Sequence, residues 1–582
     1  MPDENTIPSS QPRSGATFTI LSEGEKLPAS LPVLSLLVQR EVNRIAAATI
    51  MLQDGDAASG NFTASNGEWL IPGKQIEIKA GYRSEEETIF KGIVIRHSVK
   101  VRKNISMLVV ECRHPAFKMT THLKNAYFHD ISDSDAGSQL CSAYGISLSS
   151  DGEYLQHKEL VQFYSTDWDF MLCRAEANGA WVITNDDGTI SMAPPDAAQE
   201  AVLTARFGAT IKELDAEIDG RLQFDGWKAV GWSPEDQALL EDAEATDPNS
   251  SIAGNLSAAD LASSMNNNTQ ELRHNSLPEN ELKKWADASL QKSRLAKIRG
   301  RAKIDGTASV LPGKTLEISG AGERFNGKVL VTGMRHQLEK NQWETIVQFG
   351  DNPSWHAETF RVHQPLAGAL LPPVQGLHIG IVTDLEDPEG AERIKVRMPM
   401  VSATDDGAWM RLGSLDAGNN RGWVFRPEVD DEVIVGFINN DPRFGVVLGK
   451  LHSAKNAAPI VAKNDNHEKG YVSRSEMKLH FDDDKKLMTL STPAGNSVQL
   501  DEENKCIKLQ DQHGNKIEMN EDGIAIESIK EIKIKATTEL NAEAGSNANI
   551  KASAQLKAEG SGGAELSAGG NTVVKGAMVQ IN

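Results

Sequence analysis

Residues Ile532–Ala568 read IKIKATTELNAEAGSNANIKASAQLKAEGSGGAELSA, and the fold is decided here. Ile, Leu and Ala dominate the even positions, with Thr538, Ser546, Gly560 and Gly562 among them, whereas Lys, Glu, Asn, Gln, Ser, Thr and Gly fill the odd ones, with no large aliphatic or aromatic residue among them. Successive side chains of a strand point to opposite faces, so the stretch is a β pattern with one dry and one wet face. It is much longer than an ordinary strand of about 5–6 residues. A second rhythm of eight runs inside the first: Ile534, Ala542, Ile550, Ala558, Leu566 and Val574 form one series, and Ile532, Leu540, Ala548, Leu556 and Ala564 the other. A lone ribbon leaves its apolar face wet and its edges unpaired. Winding identical copies about an axis removes both defects, and the small dry face fits a narrow interior shared by three chains. Spacing alone also admits two copies, a disordered Ala/Gly-rich tail or a single-chain β-solenoid. The solenoid needs regular corners, which the sequence does not advertise. Residues 477–529 alternate less regularly and read as the wider base of the same shaft.

The whole chain has 582 residues, enough for several domains. With 60 Lys plus Arg against 81 Asp plus Glu, its net charge is −21, which argues against nucleic acid as a partner. No apolar run is long enough to cross a bilayer, and the N-terminal residues lack the pattern of a secretory signal, so synthesis in the cytoplasm is expected. Cys112, Cys141, Cys173 and Cys506 are scattered and read as reduced structural thiols.

Residues 374–452 hold five short alternating segments: Leu377–Val382, Arg393–Met398, Ala408–Leu412, Glu432–Ile438 and Phe444–Leu451. The turn Asn439-Asn440-Asp441-Pro442 joins the last two, and the set suggests a small barrel of the oligonucleotide/oligosaccharide-binding (OB) type. Trp409-x-Arg411, Gly422-Trp423, the run Pro427 to Phe437 with Asp431, Glu432 and Gly436, and then Asp441-Pro442-Arg443 resemble the signature of VgrG spike proteins. That resemblance implies a trimeric spike of a contractile injection system, whose OB barrel joins a wide hub to a triple-stranded β-helical needle.

Residues 17–355 contain an internal echo. Ile71-Pro72-Gly73-Lys74 is followed by Phe90-Lys91-Gly92 and His97; Leu311-Pro312-Gly313-Lys314 is followed by Phe325-Asn326-Gly327 and His336. Two similar β-barrel modules are expected. By the resemblance, three chains with two barrels each make a sixfold-like ring that matches a hexameric inner tube. Between the modules, Gln162 to Phe170 with Trp168, Asp169 and Phe170, then Arg174, Glu176 and Gly179, resembles the hub signature. It reads as a helix capped by Ser165, Thr166 or Asp167. Asp167 and Asp169 read as helix N-terminal acids rather than a catalytic pair, since no partner His is evident. Residues 234–278 read as an exposed acidic, Ser/Asn-rich connection, followed by a helix over Glu281–Ile298 with a Ser276–Glu279 capping box; together they form a helical/acidic insertion at about 234–300.

The expected fold class is thus mainly β and multidomain: duplicated hub barrels with helical insertions, an OB-type barrel and a C-terminal intertwined triple-stranded β-helix. Expected boundaries are a hub at 17–355, a linker at 356–373, the barrel at 374–452, a linker at 453–472 and the needle at 473–582. No P-loop, Gly-x-Ser-x-Gly or His-Glu-x-x-His occurs, so no enzyme, cofactor or metal is expected. The family's iron-binding needle tips carry His-x-His; residues 572–582 hold no His. Their apolar end, with Met578, Val579, Ile581 and Asn582, resembles members capped by a separate PAAR-type tip protein. Baseplate proteins, effector cargo and transient contact with a target membrane complete the implied partners. The rival readings are a spike with envelope-degrading activity and a receptor-binding fibre or adhesin.

Overall fold

A computed structural model describes residues 15–103, 105–248 and 253–581. Contacts divide these into two compact units: residues 15–375 with the turn Asn439–Pro442, and residues 376–438 with 443–581. Among the described residues no helix is long and apolar enough to cross a membrane.

The first unit is built on one 13-stranded sheet carrying two copies of the same topology. The first module comprises β1 (Ala16–Ser22), β2 (Val33–Glu41), β3 (Ala47–Gln53), β4 (Gln75–Tyr82), β5 (Glu85–Arg102) and β6 (Ile105–Arg113). The second comprises β7 (Ala201–Arg206), β8 (Ile211–Ile218), β9 (Ile298–Asp305), β10 (Thr315–Ser319), β11 (Gly327–Glu339) and β12 (Gln342–Phe349). Strand order is β1-β4-β5-β6-β3-β2 in one and β7-β10-β11-β12-β9-β8 in the other, so each strand corresponds to the one six places later. One pairing differs: β1 runs antiparallel to β4, whereas β7 runs parallel to β10. The modules join where β11 pairs with β2, and neither closes its own ladder.

The Pro-Gly echo lies at equivalent places. Gly73 N–H donates to Val94 O at 2.9 Å, Lys74 N–H to Ile71 O at 3.2 Å, and Val94 N–H to Lys74 O at 2.9 Å. Gly313 N–H donates to Val331 O at 2.8 Å, Lys314 N–H to Leu311 O at 3.1 Å, and Val331 N–H to Lys314 O at 2.8 Å. Both glycines take positive φ, +100° and +82°, where a Cβ is disfavoured. Alternation buries one face of each module. Leu36, Ile50, Ile78, Phe90, Leu108 and Val110 fill the first core; Leu316, Ile318, Val331, Val347 and Phe349 fill the second.

A helical block separates the modules, with α1 (Asp133–Ser142) and α2 (Asp167–Ala177) packed on a ribbon of Leu123–Ser132 and Gln156–Thr166. The described parts of the segment expected as an exposed connection instead form regular elements. Strands Trp227–Ser233, Ala238–Glu244 and Gln270–His274 form a small sheet, and α3 (Ala258–Met265) starts at a Ser257–Asp260 capping box. The following α4 spans Glu279–Leu295, and its N-cap is Pro278 rather than Ser276. With φ fixed by its ring, proline sets the entry to the helix without a side-chain bond. The expected linker at 356–373 includes a one-turn helix, His356–Thr359, and a 3-10 turn, Leu366–Ala369.

In the second unit, β13 (His378–Asp384), β14 (Arg393–Arg397), β15 (Ala408–Leu412), β16 (Glu432–Phe437) and β17 (Gly445–Lys450) close into a five-stranded barrel. Val382, Ile394, Val396, Met410, Val433, Val435 and Val447 fill it. Seven antiparallel strands follow as a meander, from Glu468–Val472 to Gly523–Glu527. This base therefore differs from the shaft beyond it, because hairpin turns such as Asp511–Asn515 fold it back on itself.

Candidate functional site

The residues expected to carry assembly lie beyond the meander. Among the described residues, no strand or bridge is assigned from Ser528 to Ile581. The backbone bends at 529–530, 537–538, 545–546, 553–554, 561–562, 569–570 and 577–578, once every eight residues. Corners thus exist, correcting the expectation that none could be found. Five of the seven, Thr537-Thr538, Gly545-Ser546, Ser553-Ala554, Ser561-Gly562 and Gly569-Gly570, are made from small residues. A single-chain solenoid would pair successive coils with one another, and no such ladder is present among the described residues.

Each six-residue arm between bends places three side chains on the apolar face. The first two positions are Ile532/Ile534, Leu540/Ala542, Ala548/Ile550, Leu556/Ala558, Ala564/Leu566 and Thr572/Val574. The third, just before the bend, is Ala536, Ala544, Ala552, Gly560, Ala568 or Gly576. From the second arm to the fifth, one large aliphatic and one Ala share each arm, so every layer presents a similar volume. All of these residues are exposed in one chain, Ile550 at 78% and Leu566 at 80%. At the end of the chain Met578, Val579 and Ile581 are exposed as well, and Asn582 lies outside the described residues.

The meander continues the same apolar face. Met477, Leu490, Val498, Leu509, Ile517 and Ile526 line an open hollow of about 800 Å³. Its upper end is tied to the barrel: Trp423 stacks on Phe425 with centroids 5.5 Å apart, Phe425 meets Tyr471 edge-on at 4.8 Å, and Arg474 pairs with Glu428 at 2.8 Å. The signature glycine Gly422 serves this loop. Its φ is +133°, and a Cβ there would stand 2.4 Å from Asp416 O. Trp409 and Arg411 lie on β15, where Lys395 covers the Trp409 ring at 5.9 Å. Asp431 accepts from the Glu428 N–H at 2.9 Å to fix the turn into β16, which carries Glu432 and Gly436. Asp441 is buried, next to Pro442 in the turn between β16 and β17.

In the hub, the signature helix α2 is capped by Thr166, whose hydroxyl accepts from Asp169 N–H at 3.0 Å. Trp168, Met171, Leu172 and Ala175 are buried, and Phe170 stacks on Phe128. Asp167 is fully buried and takes Lys124 at 2.6 Å, Tyr144 at 2.7 Å and Gln162 at 2.9 Å. Burial alone would raise its carboxyl, yet those three donors hold it below the usual range. Asp169, also raised by burial, is held down by His356 and Thr166. His356 lies 2.9 Å away and 187 residues along the chain, the partner that local reading missed. Nearby, Asp133 is gripped by Arg174 at 2.7 and 3.0 Å and by Asn178 at 2.7 Å. Glu176 receives Lys292 at 2.9 Å and the His356 N–H at 2.7 Å. Each acid is engaged, with His356 serving both Asp169 and Glu176, and these contacts lock α2 to its surroundings. Among the described residues no group of three or more His, Cys, Asp or Glu has metal-holding geometry. Burial pushes the Cys112 and Cys141 thiols up to about 12, where they are inert.

The profile of the Alg8 N-terminal domain matches residues 13–340, more than half of the sequence. The chain belongs to that family. Residues 378–452, which include the closed barrel, match the type VI secretion system/phage-baseplate injector OB domain. Curated relatives include the type VI secretion system spike proteins VgrG1b of Pseudomonas aeruginosa, 26% identical over 31% of this chain and 26% of its own length, and VgrG3 of Vibrio cholerae, 32% identical over 18% and 11%. The chain is thus similar in part to VgrG spike proteins, and it spans only about a quarter or less of the length of the curated relatives it matches. Among solved structures, a Neisseria meningitidis tail protein aligns with TM-score 0.43 and 12% identity, covering 59% of this chain and 98% of its own. An E. coli type VI secretion component aligns at TM-score 0.37 and 12% identity, covering 74% and 99%.

Proposed function

We propose that this member of the Alg8 N-terminal family is a structural, non-catalytic spike that works as a homotrimer at the tip of a contractile injection system. In this reading the duplicated hub module lets three chains present six similar faces to a hexameric inner tube. The OB barrel is the joint, and the meander and eight-residue arms of three chains braid into the needle. Ile532, Ile534, Leu540, Ala542, Ala548, Ile550, Leu556, Ala558, Ala564, Leu566 and Val574 would line its axis. The apolar end, Met578, Val579 and Ile581, would seat a PAAR-type tip protein, and baseplate proteins would surround the hub. The assembled particle, carrying any effector cargo, would leave the cytoplasm and breach a target envelope.

The observation that carries this reading is the bare aliphatic face of an eight-residue repeat that forms no ladder among the described residues of its own chain. Burying a large aliphatic side chain contributes about 1.5–3 kcal/mol, so leaving the series wet is costly, and backbone groups without partners add to the cost. Copies of the same chain supply both an apolar surface of matching period and the missing strands. The test is electron microscopy of the purified full-length protein: a spike with threefold symmetry supports the reading, and single-chain particles contradict it. Release of fragments from purified peptidoglycan by the same preparation would contradict the non-catalytic assignment.

A further inference from the structure

The seam between the hub modules carries an arginine-lined hollow. Directly opposed residues of neighbouring strands share a sheet face. One cross-strand row runs Arg113, Ala47, Gln39, Arg335, Ile346 over β6, β3, β2, β11 and β12. The next runs Glu41, Gly333, Gln348, Arg301. Arg40, between Gln39 and Glu41, also borders the hollow but is buried and paired with Asp186. A cavity of about 590 Å³ opens over the two rows, rimmed by Trp168, Asp169, His356 and Phe360. Its size is typical of ligand sites, roughly 300–1,000 Å³. Ala47 and Gly333 give it depth where longer side chains would fill it.

Its charges are unevenly satisfied. Arg301 is paired with Asp215 at 2.7 Å, and Asp169 is held by His356. The guanidinium groups of Arg113 and Arg335 have no hydrogen-bond or carboxylate partner among the described residues; that of Arg44 lies 4.2 Å over the Phe360 ring and acts electrostatically on Glu41. Glu41 is the single acid in the hollow without a clamp, and it feels Arg44. Two uncommitted cations, with Arg44 beside them, thus face one carboxylate, in a chain whose net charge is −21.

We propose that this seam hollow binds the carboxylates of an acidic polypeptide segment. Guanidinium groups present paired N–H donors that match a carboxylate, and Gln39 and Gln348 add amide donors on the same face. A short segment bearing two or three carboxylates spans the row from Arg113 to Arg335, three strands apart at about 4.8 Å per strand. The acidic remainder of the surface repels a long polyanion such as nucleic acid.

Isothermal titration of the full-length protein with a hexaglutamate peptide at low salt tests this. Saturable binding at one site per chain is expected, weakened at least tenfold by Arg113→Gln/Arg335→Gln and unchanged by Lys100→Gln. Inorganic phosphate should bind at least tenfold more weakly than the peptide. No saturable binding, an equal affinity in the double variant, or phosphate matching the peptide would each overturn the proposal. Should the double variant fail to fold, Arg44→Gln, outside the ladders, must weaken the peptide in its place.

Discussion

The hub modules and the C-terminal arms use the same alternation of apolar and polar residues and reach opposite outcomes. In the hub, Ile78, Phe90, Val331 and Phe349 are buried within one chain, because each strand finds a partner elsewhere in the same chain, from a few tens to about three hundred residues away, and the sheet curls over its own apolar face. In the arms, Ile534, Ile550 and Leu566 repeat just as regularly and stay bare, because a six-residue arm followed by a bend never returns to pair with itself. Period two specifies a face. Whether that face is buried by the same chain or by another is decided by the corners.

That contrast can be broken at several points. The largest effect is expected from Ile550→Asp, which would put a charge from each copy on the proposed axis. Trimer formation should be lost in sedimentation, while the hub's unfolding midpoint stays unchanged. The converse change, Phe349→Ala, empties part of a core that one chain completes; it should cost the hub about 3–5 kcal/mol in denaturant unfolding and leave the sedimenting mass unaltered.

Acid should separate the regions next. Burial drives His336 down to about 3 and His114 down to about 4, from an ordinary 6.5. The unfolded chain therefore binds protons that the folded hub refuses. The stability these groups lend is complete above about pH 6.5 and is lost as pH falls toward 4 and 3. Asp167 and Asp169, held below their usual range, add a further loss at the acid end. The arms from residue 531 onward carry no His, so their assembly should be flat over pH 7–5 while the hub midpoint falls. His336→Leu should shallow the hub's slope. The smallest effect is Thr166→Ala, which removes the α2 cap and should cost about 1 kcal/mol without touching assembly.

Much of the architecture was legible in local pattern. The five barrel strands fall within a few residues of their alternating segments, and the two Pro-Gly sites make matching hydrogen bonds because the same tight turn precedes a strand in each module. What the sequence concealed was long-range or small. Asp169 and His356 meet across 187 residues, and no local spacing signals that pair. Residues 234–278 read as an exposed connection because the strands and helix in their described parts are short; Ser257 and Asp260 mark one boundary. The corners of the arms were hidden in plain Ser, Thr, Gly and Ala, residues that equally suit the wet face of a strand. The arginine hollow was invisible for another reason: Arg113 and Arg335 lie 222 residues apart and become neighbours only through the joining of the modules.

The central claim is tested most directly by sedimentation equilibrium of the full-length protein at micromolar concentration. The account predicts a single species with three times the 63.2 kDa chain mass. A folded species at 63.2 kDa would contradict it.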